Sequence, residues 1–158
     1  MSSTTSLRDQ RGTALVEFAF VLPILLLLVI GMLHFGKAFN YWTNETHLAN
    51  EAARFATVNK NPGGLGSTLQ QYIQAQADTP ELRNGGTDSV PDPMKVCITF
   101  PQGQVVGAPV TVTVSTDYHW IPFLADSLDG ASLTVSGSAT MRLEAAPTNY
   151  SAGCVGGA

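Results

Sequence analysis

The chain has 158 residues, 44% hydrophobic but only 13% charged, with a net charge of −4. A charged share so far below the about 25% of ordinary soluble domains fits one domain plus an apolar anchor at this length. The acidity, with no Lys/Arg cluster anywhere, excludes a nucleic-acid partner, because phosphate binding needs a basic stripe.

Residues 1–12 are polar and Ser/Thr-rich and read as a leader peptide. Residues 13–33 form an almost unbroken apolar run holding one charge, Glu17, and one proline, Pro23. About 20 apolar residues at about 1.5 Å each cover the about 30 Å hydrocarbon core of a bilayer. The run is too long for the apolar centre of a cleavable secretory signal, about 7–15 residues, and Gly36-Lys37-Ala38 is a poor match to its cleavage site. Arg8 and Arg11 precede the run, against Asp9 alone, and only Lys37 closely follows it. That asymmetry predicts a single-pass protein of the cytoplasmic membrane, its N-terminus in the cytoplasm and the rest outside, in the periplasm or at the cell surface.

The helical pattern does not stop at the membrane edge. Trp42, Ala49, Ala53 and Ala56 share a face with Ala38, Ala52 and Phe55, while Asn40, Asn44, His47, Asn50, Glu51 and Arg54 take the other. This amphipathic stretch ends at Asn59-Lys60-Asn61-Pro62-Gly63-Gly64. One long helix is predicted, apolar all round in its first half and two-faced in its second. Pro23 removes an N–H, frees the carbonyl of Ala19 and predicts a kink.

Residues 65–77 read as a shorter helix capped by Ser67, and the Pro/Gly/Asp-rich residues 78–93 as a loop. The period then becomes two. Val96, Ile98 and Phe100 alternate with polar residues, as do Val110, Val112 and Val114, then Leu133, Val135, Ala139, Met141 and Leu143. Three strands, each apolar on one side, predict an antiparallel sheet with one dry face, joined through residues 101–109 and 119–130. The outer half of the long helix is the lid that face needs. The fold class is therefore α+β: a long N-terminal helix packed on a small antiparallel sheet of about three strands, with one short extra helix. Residues 34–146 make the extracytoplasmic domain, and residues 147–158 a flexible tail.

Cys97 falls on the wet face by alternation, and Cys154 lies in the tail. On the oxidising side of a membrane, two cysteines point to a disulfide rather than to zinc, which takes four ligands. The tail is expected to cross the outer face and be pinned there.

Placing a carboxylate in a membrane helix costs about 2.5–3.5 kcal/mol on insertion scales, so Glu17 requires a partner. The stretch Gly12-Thr13-Ala14-Leu15-Val16-Glu17-Phe18-Ala19-Phe20-Val21-Leu22-Pro23 and the Leu-rich run after it resemble the TadE-like minor pseudopilins of tight-adherence (Tad/Flp, type IV-like) pili. The resemblance implies a pilin-like helix cut between Gly12 and Thr13 by a prepilin peptidase. Thr13 then becomes the new N-terminus, and its ammonium pairs with Glu17 of an adjacent or the same subunit while Phe18 packs beside the pair. Implied partners are that peptidase, other Tad pilins, a second minor pseudopilin, the inner-membrane assembly platform and membrane lipid. The implied role is structural, in pilus biogenesis, adhesion and biofilm formation. The domain is larger than major Flp-type pilins usually carry, which suggests a minor subunit.

No cofactor is expected, and His34, His47 and His119 follow no metal-ligand spacing. Asp88, Asp92, Asp126 and Asp129 read as solvated loop acids, and Asn44 and Asn149 as chance sequons. Tyr41 and Trp42 are placed near the membrane interface and Trp120 in the core. No nucleophile motif or phosphate loop marks an enzyme. The competing reading is an uncleaved, anchored envelope protein that binds a ligand or partner through its sheet.

Overall fold

The computed structural model describes residues 6–120 and 132–157, with side chains from Gly12 onward. Two compact units divide the chain, Met1–Lys37 and Ala38–Ala158. Helix α1 (Ser6–Thr57) contributes residues to both.

In the first unit α1 is the whole of the described structure. It runs without interruption through Pro23. Leu15, Phe18, Phe20, Ile24, Leu28 and Met32 are all exposed. The apolar window has a mean hydropathy of 2.7, and none of it is buried by this chain.

In the second unit the architecture is a helix layer on one sheet. Strands β1 (Lys95–Thr99), β2 (Pro109–His119), β3 (Ser132–Arg142) and β4 (Gly153–Val155) form an antiparallel sheet in the order β3-β2-β1-β4. Val96 and Ile98 of β1 and Val110, Val112, Val114, Thr116 and Tyr118 of β2 point into the core. Residues 38–57 of α1 cover them with Tyr41, Leu48, Ala49, Ala52, Ala53 and Ala56, all buried. The alanines let the helix sit low on the sheet, and β-branched strand residues fill the pleats beneath. Helix α2 (Leu69–Ala75) supplies Leu69 and Ile73 to the same core, and α3 (Pro80–Asn84) supplies Leu82.

Several expectations require correction. The second helix begins at Leu69, not residue 65, because Thr68 and Gln71 form a reciprocal capping box; Leu65 lies outside it, fully exposed. Residues 78–93 are not all loop. Thr79 caps α3, Pro80 starts it, and Gly85 ends it at φ 64°, a conformation that favours glycine. Trp42 is exposed and stacks near Phe39 with ring centroids 5.7 Å apart, while Tyr41 takes the core position.

The largest difference lies in residues 147–158. In place of a flexible tail crossing the outer face, the chain adds β4 alongside β1 as a fourth strand. Tyr150 is buried and its hydroxyl donates to the Ala56 carbonyl at 2.8 Å. Gln70 donates to the carbonyl of Ser151, and Gly157 N–H to that of Pro93. A three-residue strand with one valine carries too little pattern to be seen in sequence. Most of the connection 119–130, with Asp126 and Asp129, lies outside the described residues.

Candidate functional site

The N-terminal motif sits entirely on α1. Gly12, Thr13, Glu17 and Phe18 are consecutive-turn neighbours on that helix, and all four are exposed. Residues four apart lie within about 6 Å on a helix surface, so Glu17 is one turn from Thr13. Glu17 makes no ion pair with a described residue of its own chain. Among the described residues nothing comes within 4 Å of a Cβ placed at Gly12, Gly31 or Gly36. Glycine in a helix interior costs about 1 kcal/mol relative to alanine. Packing among the described residues therefore gives no reason for glycine at those three positions.

Cys97 and Cys154 are direct cross-strand partners in β1 and β4 and are joined by a disulfide, with Cα atoms 4.1 Å apart. The bridge fastens the edge strand to the sheet rather than strapping it over the face.

The scattered histidines stay apart. His47 lines an open groove with Glu51, Arg54 and Arg142, and His119 donates its backbone N–H to the Ser89 carbonyl. Among the described residues no group of three or more His, Cys, Asp or Glu gathers in a way that would hold a metal. Asn44 is buried and accepts from the Asp78 N–H, whereas Asn149 is exposed.

One residue that sequence reading passed over is Glu45. It lies fully buried on the sheet-facing side of α1, beside Thr116 of β2, and neither carboxylate oxygen has a hydrogen-bond partner. The Thr116 hydroxyl is buried and unpartnered as well. Burial holds the Glu45 carboxyl far above the usual carboxylate range, at about 8; Thr116 opposes the shift and the charge of Asp117 adds to it. One turn earlier, the Tyr41 hydroxyl donates to Glu81 of α3, and its ring meets Tyr118 edge-on at 5.7 Å. The signal for Glu45 was present: it lies four residues from both Tyr41 and Ala49, on the buried stripe.

Comparison with curated proteins finds no match, and neither does comparison with solved structures. The family model described as TadE-like protein matches residues 12–54. That segment starts at Gly12, contains Glu17 and Pro23, and runs onto the part of α1 that covers the sheet, so the similarity to TadE-like proteins is carried by α1.

Proposed function

We propose that the protein is a minor pseudopilin of a Tad-type pilus, a structural and assembly subunit rather than an enzyme. The observation that carries this reading is the first unit of the chain: a TadE-like helix with a wholly uncovered apolar surface and a carboxylate one turn past Gly12. An apolar surface of that extent needs lipid, other helices, or both in succession.

A prepilin peptidase cuts between Gly12 and Thr13. Among the described residues nothing packs against Gly12, which supports a requirement imposed from outside, by an enzyme that must approach the backbone closely. Because the peptide there is helical, the peptidase unwinds the turn before cutting, and glycine lowers the resistance to unwinding. Cleavage creates an ammonium on Thr13, which pairs with a Glu17 carboxylate in a medium where two separate charges are far costlier than a pair. Phe18 packs beside that pair. Pro23 leaves the Ala19 carbonyl without its usual donor and provides a point of bending. Gly31 and Gly36 allow neighbouring pilin helices to approach closely.

In this reading the N-terminus faces the cytoplasm and the sheet domain lies outside. The partners are the peptidase, other Tad pilins with a second minor pseudopilin, and the assembly platform in the membrane. Adhesion and biofilm formation follow from the pilus.

Intact mass and N-terminal sequencing of the protein from native membranes test the first step. A chain beginning at Thr13 is expected, and Gly12→Leu should retain Met1–Gly12. Recovery of the full chain from piliated cells overturns the reading in favour of an uncleaved envelope anchor. Glu17→Gln should be processed yet fail to support piliation; normal pili in that variant would remove the charge-pairing step.

A further inference from the structure

The seam between α1 and the sheet is apolar along its length except at one place. Tyr41, Leu48, Ala49, Ala52, Ala53 and Ala56 are all buried there, and Glu45 interrupts the series. Its carboxyl group faces Thr116, and three oxygens, two from Glu45 and one from Thr116, are buried together with no partner. An unsatisfied buried polar group costs about 1–3 kcal/mol, and a charged one more. Apolar residues would fill such a seam more stably, so the carboxyl group calls for another explanation.

The backbone at this point settles what ionisation does. A Cβ added at Gly137 of β3 would meet the Thr46 nitrogen at 2.4 Å and the Glu45 carbonyl carbon at 2.6 Å. The helix therefore rests on the strand backbone itself at residues 45 and 46. With the helix seated so low, the Glu45 side chain is fully buried. It reaches solvent when the helix lifts from the sheet.

We propose that Glu45 is a proton-sensitive latch: protonated, it lets α1 seat on β2 and β3; ionised, it lifts the helix from the sheet. The protonated carboxyl leaves no charge in the seam. The carboxylate brings an uncompensated charge into the lowest part of the contact.

The groups around it favour that direction. On β2, Asp117 is a second carboxylate, and its Oδ1 accepts from Thr134 of β3 at 2.6 Å. Tyr118 on the same strand and Tyr41 on the helix are phenols whose own ionisation is suppressed by burial. Glu81 of α3 is engaged by Tyr41. On β3, Val135 and Gly137 carry no charge, and His47, the nearest histidine on α1, lines the open groove instead. Among the described residues no cation is placed to compensate Glu45.

The sign follows from linkage. The carboxyl group titrates near 4.5 when exposed and near 8 when seated. Docking is therefore strongest below about pH 4.5, weakens as pH rises towards 8, and stops changing above it. Across that window the equilibrium for lifting the helix rises by up to about tenfold per pH unit. The latch belongs to the folded unit alone and stands or falls independently of processing at Gly12.

The test uses the full chain in detergent micelles. A 13C titration of the side-chain carboxyl groups is read alongside amide hydrogen exchange from pH 5 to pH 9, corrected for the intrinsic base dependence. The expected result is one carboxyl titrating near pH 8, absent in Glu45→Gln, with excess exchange in residues 41–49 of α1 rising with pH in the wild type only. Glu45→Met, of similar length and uncharged, should be equally pH-independent and serves if the amide variant folds poorly. A Glu45 carboxyl titrating in the ordinary range near 4 overturns the latch. So does an exchange profile that rises identically in wild type and Glu45→Met.

Discussion

Cys97 and Cys154 stand opposite each other in β1 and β4, so the single disulfide of the described structure is a cross-strand rung closing a loop of 57 residues in sequence separation. Its effect is on the unfolded chain as much as on the folded one. Confining a loop of that size removes entropy worth about 4 kcal/mol in the chain-entropy model. Replacing both cysteines by serine should lower stability by roughly that amount, less whatever strain the bridge imposes. Denaturant unfolding of the oxidised, reduced and Cys97→Ser/Cys154→Ser proteins measures it. The reduced and doubly substituted forms should coincide, and both should expose the β1 edge to exchange.

Gly137 has a simpler role, close approach. Because a Cβ there would overlap the backbone at Glu45 and Thr46, Gly137→Ala must push α1 away from β3. Overpacking of this kind costs about 1–3 kcal/mol. The loss should appear in the thermal midpoint of the folded unit and leave processing at Gly12 unaffected. A Gly137→Ala protein as stable as wild type would show that the helix does not rest on the β3 backbone at Gly137.

Much of this arrangement is legible in the sequence. The period-two runs around Val96, Val112 and Val135 define three strands, and the alanine face at Ala49, Ala53 and Ala56 marks the helix that covers them. Glycine, glutamate and proline at positions 12, 17 and 23 carry the similarity to TadE-like proteins. Three kinds of feature were not legible. Strand β4 is too short for periodicity, and its pairing depends on a partner distant in sequence. Helix α3 is only five residues long and is hidden by the composition of Thr79-Pro80 and Asn84-Gly85, which reads equally as a turn. Glu45 was passed over because a charged residue on a buried stripe contradicts the pattern used to find the stripe. Tyr41 and Trp42 were both placed at an interface by residue type. Only the phase of the helix on the sheet separates them, burying Tyr41 against Tyr118 and leaving Trp42 beside Phe39.

Tyr150 ties the C-terminal segment to the end of α1. Its buried hydroxyl donates to the Ala56 carbonyl, and its ring lies 6.0 Å from that of Phe100. Tyr150→Phe keeps the ring contact and loses the bond, at about 1 kcal/mol. Burial pushes the hydroxyl up from 10.0 to about 12. The sign of the pH effect follows: the contribution is complete below pH 10, and is lost as pH rises through about 12. Tyr150→Phe should lack that alkaline component, as read by ultraviolet phenolate absorbance together with the unfolding midpoint.

Asn59 closes α1 in a way that separates two contributions within one residue. It has φ 53°, the only positive φ at a non-glycine position among the described residues. Its Oδ1 accepts from the N–H groups of Thr148 and Asn149 at 2.8 and 2.9 Å, and its Nδ2 donates to the Thr148 hydroxyl at 2.7 Å. Asn149 returns a bond to the Asn59 carbonyl at 2.8 Å. Asn59→Gly removes the side-chain bonds but accepts the left-handed backbone, whereas Asn59→Ala removes the same bonds and adds about 1–2 kcal/mol of backbone strain. The bonds are exposed, so their joint loss should amount to about 1–2 kcal/mol. The expected order of unfolding midpoints is wild type, then glycine, then alanine. Equal midpoints for glycine and alanine would mean that the helix end relaxes out of the left-handed conformation once its clamp is gone. Equal midpoints for wild type and glycine would mean that Thr148 and Asn149 are held by β4 and Tyr150 rather than by Asn59.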